Sequence, residues 1–496
     1  MTQEELVRRE RLEQIKTQGI NPYPSSTSRT HMLAEVFDAF DSMLAAEATV
    51  TCCGRIRLIR KHGGLTFVQL QDDSRTMQLA LHRDQIGEEI YQKFHDILDI
   101  ADFIQITGKL FHTKKGEPTI DVQAFTLLSK SLLPLPEKFH GLTDVESRYR
   151  ERELDLIMNP EVKSRFVARS KMVSSMRTYL NDSGFMEVET PILQPIPGGA
   201  SAKPFITHHN ALNADLYLRI APELYLKRLI VGGFEKIYEI GRCFRNEGID
   251  YAHNPEFTML ELYWAFANTE SFMTMLEQLL VHAIHEAIDP LAAELKNPDI
   301  QFNAPFPRIT FREAILSACG IDIDLLKTES SVIEATRAKN LSIDFGGCVG
   351  MGEYFDALWK YTARPNIIQP TWIFDYPAAL KPLAKAKSED ATKSASVQLV
   401  VQGAEVVNAY YNELNDPIDQ RNRFEEQQTL REKGSEEAQW MDEEFLNALE
   451  HGMPPTSGVG IGIDRLIAFL TNAPNLKEVI LFPTLKPKLS ESTDVV

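Results

Sequence analysis

The chain has 496 residues, 43% hydrophobic and 25% charged, with a formal net charge of −18 at pH 7. That length exceeds what one core usually serves, so two or more domains are expected. The acidity excludes a generally basic nucleic-acid binder, and the lack of a long uninterrupted apolar run excludes a membrane-spanning chain. Cys52, Cys53, Cys243, Cys319 and Cys348 show none of the paired spacings of a zinc site, and their odd number argues against a disulfide framework, so they are expected to be small buried residues. The start MTQEELVRRERLEQIK lacks a signal peptide's apolar segment, which makes a cytoplasmic protein the expectation.

In chain order, residues 1 to about 20 read as a helix that GINPYPSS ends, because Gly and two Pro forbid its continuation. From about 48 to 130, short β-rich runs alternate with turn signals: TVTCCGRIRLIR, LTFVQLQD, RTMQLAL, DFIQITGKLFHT and TIDVQAFTLLS, with one helical insertion, DQIGEEIYQKF. Five strands in that rhythm predict a small barrel of the OB type. Residues 51 to 140 hold 12 Lys and Arg against 11 Asp and Glu, so the acidity lies elsewhere and this segment can meet a nucleic acid locally. The stretch LLPLPEKFHGLTDVESRYRERELDLIMNP, proline-rich and then charged, marks a linker, giving domains 1–140 and 141–496. Next, EVKSRFVARSKMVSSMRTYLNDSGF has helical apolar spacing, and MEVETPIL reads as a strand stopped by proline. Helices fill roughly 270 to 340, and KGSEEAQWMDEEFLNALEHG is another.

The chemistry concentrates in one hairpin. If KIYEIGRCFRNE is a strand, alternation puts Glu239, Cys243, Arg245 and Glu247 on one face, with Tyr238, Ile240 and Phe244 on the other. If EFTMLELYW returns beside it, Phe257, Met259, Glu261 and Tyr263 share a face opposed by Leu260, Leu262 and Trp264. Taken alone, Arg245 and Glu247 read equally well as a solvated ion pair, worth roughly 0 to 1 kcal/mol. Two aromatic side chains on the same face favour a ligand cleft instead.

The segment CFRNEGIDYAHNPEFTMLEL, within residues 236–265, resembles motif 2 of the class II aminoacyl-tRNA synthetases, and its wording is similar to that of the lysyl-tRNA synthetases. GVGIGIDRLIAFL, residues 458–470, resembles motif 3, and the helix and strand at about 165–191 resemble motif 1. PGGASAKPFITHHNAL and YLRIAPELYLKRLIVGGFEKIYEIGR are also similar to the lysine enzymes, and the N-terminal barrel resembles their anticodon-binding domain. The resemblance implies an α+β protein: a five-stranded OB barrel, then a class II catalytic domain on an antiparallel sheet flanked by helices, dimerised partly through motif 1. It implies L-lysine, ATP, magnesium and tRNA(Lys) as the molecules handled, and no membrane.

On that resemblance each residue has an expected task. Arg245 holds the α-phosphate of ATP and the lysine carboxylate together, since a guanidinium fork donates to two anions at once. Arg465 takes the γ-phosphate, Phe257 stacks on adenine, Glu247 and Asn254 add polar contacts, and His253 lies near the phosphates. Glu223 receives the α-amino group of lysine, while Glu261, Tyr263 and Glu413 surround the ε-ammonium, with Gly199, Asn408 and Tyr410 completing the lysine set. In the barrel, Phe67 stacks on an anticodon base and Gln78 reads its edge, with Arg55 and Arg57 on one face and Glu117 on a later loop.

Some positions depart from the family's pattern. The lysine enzymes bind magnesium through Glu405 and a glutamate seven positions earlier, where this chain has Gln398, an amide without charge. Ala404 and Ala252 stand where arginines are usual. NAYYNELND has one residue more than the family's spacing between Asn408 and Glu413, which a bulge must absorb, and the spacing leaves Tyr410 and Tyr411 both open for the aromatic place. The rival readings are a catalytically weakened RNA-binding or regulatory paralogue and a ligase that attaches lysine to a protein.

Overall fold

Alternating apolar residues close the first half of the chain into a barrel. The computed structural model describes residues 1–136, 142–251, 253–381, 384–432 and 438–487. The predicted linker residues 137–141, Ala252 and residues 433–437 of the KGSEEAQW run fall outside the described residues. The chain divides into two compact units, Met1–Gly141 and Leu142–Val496.

In the first unit, strands β1 (Thr49–His62), β2 (Leu65–Gln71), β3 (Thr76–His82), β4 (Phe103–His112) and β5 (Pro118–Ser129) form a closed barrel in the order β1-β2-β3-β5-β4. Only β3 and β5 pair in parallel. Thr66, Val68 and Leu70 point inward from β2, and the intervening Leu65, Phe67, Gln69 and Gln71 are partly exposed. The helix Glu88–Ile97 buries Tyr91, Phe94 and Ile97, one apolar stripe at helical spacing, in the barrel core. The one polar group on that inner face of β2 is satisfied, since the Thr66 hydroxyl bonds the Tyr91 hydroxyl at 2.8 Å. The leading helix, Gln3–Thr17, starts at a capping box of Thr2 and Glu5.

The second unit is built on an eight-stranded sheet. Its strands are β6 (Met186–Glu187), β10 (Lys236–Phe244), β11 (Glu256–Ala265), β12 (Arg308–Thr310), β13 (Thr371–Phe374), β14 (Ser396–Val401), β15 (Ala404–Tyr410) and β16 (Thr456–Gly462), in the order β12-β13-β14-β15-β16-β11-β10-β6. A small separate sheet joins β7 (Leu193–Gln194), β9 (Ala214–Leu218) and β8 (Ile206–His209). The helices Pro160–Asp182, Thr269–Ile288 and Ile463–Leu470 bury Met172, Met176, Leu276, Leu280 and Leu466 against Tyr238, Leu260, Leu262 and Val459. Each such side chain contributes roughly 1.5 to 3 kcal/mol of burial. The sheet's other face is thereby left for the cleft.

The hairpin registers as alternation requires. Glu239 lies opposite Glu261, Gly241 opposite Met259 and Cys243 opposite Phe257, while Tyr238 opposes Leu262 and Ile240 opposes Leu260. Two expectations shrink. Strand β10 ends at Phe244 rather than reaching Glu247, because the Asn246 N–H leaves the ladder to donate to the Lys203 carbonyl. The MEVETPIL strand is only Met186–Glu187, paired in parallel with β10. Of the cysteines, Cys52 and Cys243 are buried, while Cys53, Cys319 and Cys348 are partly exposed: Cys53 alternates away from the barrel core, Cys319 ends the helix Phe311–Cys319 and Cys348 lies in a loop.

Candidate active site

Strands β11, β15 and β16 floor a cleft of about 520 Å³. Gly199, Glu223, Arg245, Glu247, His253, Asn254, Phe257, Glu261, Tyr263, Glu405, Asn408, Tyr410 and Arg465 all line it, so one space gathers nearly every residue singled out for lysine and ATP. Gln398 and Glu413 sit behind its wall.

At one end are the carboxylates. Glu223 opens the helix Glu223–Val231, where a negative side chain meets the positive end of the helix dipole. Gly199 has φ +84°, and a Cβ there would stand 2.8 Å from the Glu223 Cβ, so only glycine lets this loop close over the helix start. Glu261 is 4% exposed and accepts a 3.3 Å hydrogen bond from the Tyr263 hydroxyl. Glu413 is fully buried, and its Oε1 has no hydrogen-bond partner among the described residues.

The extra residue before Glu413 is absorbed where the sequence required it. β15 pairs regularly with β16 from Val407 to Tyr410, then breaks at Tyr411 and Asn412, and the Glu413 N–H donates to the Thr456 carbonyl at 2.8 Å. This one-residue slip turns Glu413 back toward the pocket. It also resolves the two tyrosines: Tyr410 lines the cleft, whereas Tyr411 donates its hydroxyl to Asp375.

Lys227, which the sequence reading passed over, is fully buried among these groups. Its ammonium lies 2.7 Å from Glu223 Oε1 and 2.8 Å from Glu413 Oε2. The four-residue step from Glu223 in ELYLK was the signal available. Burial works to lower the Lys227 pKa, but the two carboxylates outweigh it and hold it above the usual lysine range. Burial and the Glu223 charge push the Glu261 carboxyl well above its ordinary range, and burial, against the pull of Lys227, lifts that of Glu413 to about 8. Glu239, predicted on the same face, does not reach this pocket: it forms a buried ion pair with Arg219 and accepts from the Thr190 hydroxyl.

At the other end are the cations. The Arg245 guanidinium stands 5.0 Å from the Phe257 ring centroid, and its buried Nε has no partner among the described residues. The buried Asn254 Oδ1 is likewise without one, while its Nδ2 donates to the Glu256 carbonyl. Arg465 follows β16 and donates from Nη1 to the Glu405 carbonyl at 2.7 Å. Glu247 and His253 are exposed at the mouth, with the His253 Nδ1 2.9 Å from Asp250. A brace ties the three motifs together behind this end. Asp464 accepts from the Thr258 N–H at 2.7 Å and pairs with Arg169, which also donates to the Thr258 hydroxyl.

A magnesium ion held by Gln398 and Glu405 does not fit the donors present. The Gln398 Nε2 donates to Asn408 Oδ1 at 3.3 Å, and the Lys381 ammonium donates to the same oxygen at 3.1 Å, so a cation already occupies the neighbourhood. No group of three or more His, Cys, Asp or Glu side chains placed to hold a metal ion occurs among the described residues. Ala404 begins β15 and offers no phosphate contact.

In the barrel, Phe67 and Gln78 face outward from β2 and β3. Gln78 donates to the Thr119 hydroxyl, which donates to the carbonyl of exposed Glu117, so the β3 side chain and the loop residue meet. Arg55 lies 4.2 Å from the Phe103 ring centroid. Arg55 and Arg57 are both partly exposed on either side of buried Ile56, and the ladder with β2 shifts register between Ile56 and Leu58.

An antiparallel sheet braced by these three motifs, preceded by an OB barrel, defines a class II tRNA synthetase. Residues 144–486 match the family described as tRNA synthetases class II (D, K and N), and residues 50–128 match the OB-fold nucleic acid binding domain. The chain belongs to the lysine–tRNA ligase family within that class. It is 48% identical to the lysine–tRNA ligase of Moorella thermoacetica over 97% of both chains. It is 47% identical to that of Carboxydothermus hydrogenoformans, over 97% of this chain and 98% of the relative.

Proposed function

We propose that the protein activates L-lysine with ATP and transfers it to the 3′ end of tRNA(Lys). The observation that carries this reading is a cluster of three carboxylates, Glu223 and Glu261 lining the cleft and Glu413 buried behind its wall, with the Lys227 ammonium between Glu223 and Glu413. Three carboxylates against one ammonium leave room for two positive charges, the number that lysine brings. A pocket so charged rejects substrates without the second ammonium by factors of roughly 10⁴, because its carboxylates would stay unpaired.

In the first step a lysine carboxylate oxygen attacks the α-phosphorus as the bond to the β-phosphate oxygen breaks and pyrophosphate leaves. In the second, a hydroxyl of the terminal ribose attacks the lysyl carbonyl and AMP departs. Neither step needs a protein nucleophile, so catalysis is positioning and charge neutralisation. Arg245 bridges the attacking carboxylate and the α-phosphate, Arg465 takes the γ-phosphate, and Phe257 carries adenine, with Glu247, His253 and Asn254 beside it. Tyr263, Asn408, Tyr410 and Gly199 shape the lysine end. Glu405 would offer a carboxylate to a magnesium ion bound with the nucleotide, which would neutralise phosphate charge there.

Phe67, Gln78, Arg55, Arg57 and Glu117 contact the anticodon. The working form is a homodimer, supported by the exposed apolar side chains Val167, Met186, Ile192 and Leu193 of the motif 1 segment. The setting is the cytoplasm, and among the described residues no helix is long and apolar enough to cross a membrane. Exchange of labelled pyrophosphate into ATP that depends on added lysine supports the proposal. Exchange with no amino acid, or with aspartate or asparagine in place of lysine, would contradict it.

A further inference from the structure

Of the two lysines lining this cleft that the motifs did not account for, Lys360 is paired with Asp356 and Lys381 is not ion-paired among the described residues. Lys381 follows the short turn Ala378–Leu380, lines the cleft, and directs its ammonium to Asn408 Oδ1 at 3.1 Å, with the Tyr376 ring centroid 5.1 Å away. No carboxylate lies within ion-pairing distance of it among the described residues. A half-buried ammonium at the cleft wall, held by an amide oxygen and a ring face, keeps unused donors for a ligand. Burial lowers its pKa, against the more distant Glu405 and Asp356. The same Asn408 oxygen takes Gln398, and Arg465, which bonds the Glu405 backbone, lines the same cleft. Lys381 thus stands between Asn408, at the lysine end, and Glu405, whose charge acts on it and whose carbonyl Arg465 bonds, so its free donors can reach the nucleotide side.

We infer that Lys381 is a nucleotide-contacting residue whose ammonium binds an oxygen of the ATP polyphosphate. Its fixed charge serves where Gln398 and Glu405 fail to make a metal site. The inference rests on the reading of the cleft as an ATP site. Local charge supports it: an amide at Gln398 in place of a carboxylate removes one negative charge, and a lysine ammonium in place of a divalent ion removes one positive charge. The balance around Glu405 is kept without a protein-held metal.

Calorimetric titration of the full chain with ATP, in EDTA and again with magnesium, tests this. The wild type is expected to bind ATP in EDTA, and Lys381→Gln to bind it roughly 10- to 100-fold more weakly there, as expected for loss of a charge-assisted bond. Lys381→Arg should keep most of the affinity. Adding Gln398→Glu to Lys381→Gln should recover ATP binding with magnesium but not in EDTA. Unchanged ATP affinity for Lys381→Gln in EDTA would overturn the inference while lysine-dependent exchange by the wild type still stood. Equal collapse of all three variants would also overturn it, by making Lys381 structural. A wild type that binds no ATP and shows no lysine-dependent exchange would instead remove the underlying reading.

Discussion

At Glu261 the cost of an unpaired buried carboxylate decides which form the empty pocket holds. Its folded pKa is raised, first by burial and then by the Glu223 charge. A carboxyl raised in this way binds an extra proton in the folded state, so its contribution to stability falls as pH climbs above the ordinary carboxylate range. A lysine ammonium placed beside it reverses the preference. Lysine binding should therefore release protons at pH above the ordinary carboxylate range and tighten as pH rises, which titrations in two buffers of unlike ionisation enthalpy would register as different heats. Identical heats would refute the assignment. Lys227 has the opposite task, pairing its ammonium with Glu223 at 2.7 Å and Glu413 at 2.8 Å. Lys227→Met strands two buried carboxylates and should cost about 3 to 5 kcal/mol, read as a lower thermal midpoint that partly recovers in acid as the carboxylates protonate. At this scale the sequence was legible where a side chain acts through its type, as with Arg245 and Phe257, and not where it acts through a neighbour. Glu239 stood on the predicted face but is taken by Arg219, and the partner of Lys381 lies on a strand far away in the chain.

At the scale of elements, a two-residue period sorted the hairpin correctly because one face had to be buried. Bulges are not written in a period. The slip before Glu413 announced itself as a surplus residue, but the one in β1 at Arg57 and the one between Leu399 and Val400 of β14 gave no such sign. The early end of β10 likewise depends on Lys203, a residue outside the strand. Strand β16 offers the sharpest test of how closely the elements meet. A Cβ at Gly458 would lie 2.2 Å from Glu413 Oε1 and 2.5 Å from Tyr263 Cε1. Gly458→Ala should cost about 1 to 3 kcal/mol by overpacking and raise the KM for lysine well beyond that for ATP. Unchanged lysine dependence in the exchange assay would show that these side chains do not bound the pocket.

For the whole molecule, length predicted two or more domains, the proline-rich and charged linker predicted their boundary, and the strand rhythm predicted the barrel. The order of the eight-stranded sheet does not follow from local pattern, because β16 slots between β15 and β11 through pairings of distant segments. Division of labour between the units leads to a prediction: Phe67→Ala should leave lysine-dependent exchange unchanged and lower kcat/KM for tRNA charging by roughly 5- to 150-fold, the loss of one stacked base. A parallel loss of exchange would tie Phe67 to folding instead. The most direct test of the central claim compares two ligands that differ in one group, lysine and norleucine, which lacks the ε-amine. Calorimetry on the ligand-free protein at neutral pH should show lysine binding with norleucine weaker by a factor of roughly 10³ or more. Equal affinities would mean that Glu223, Glu261 and Glu413 do not form a site for a diamine.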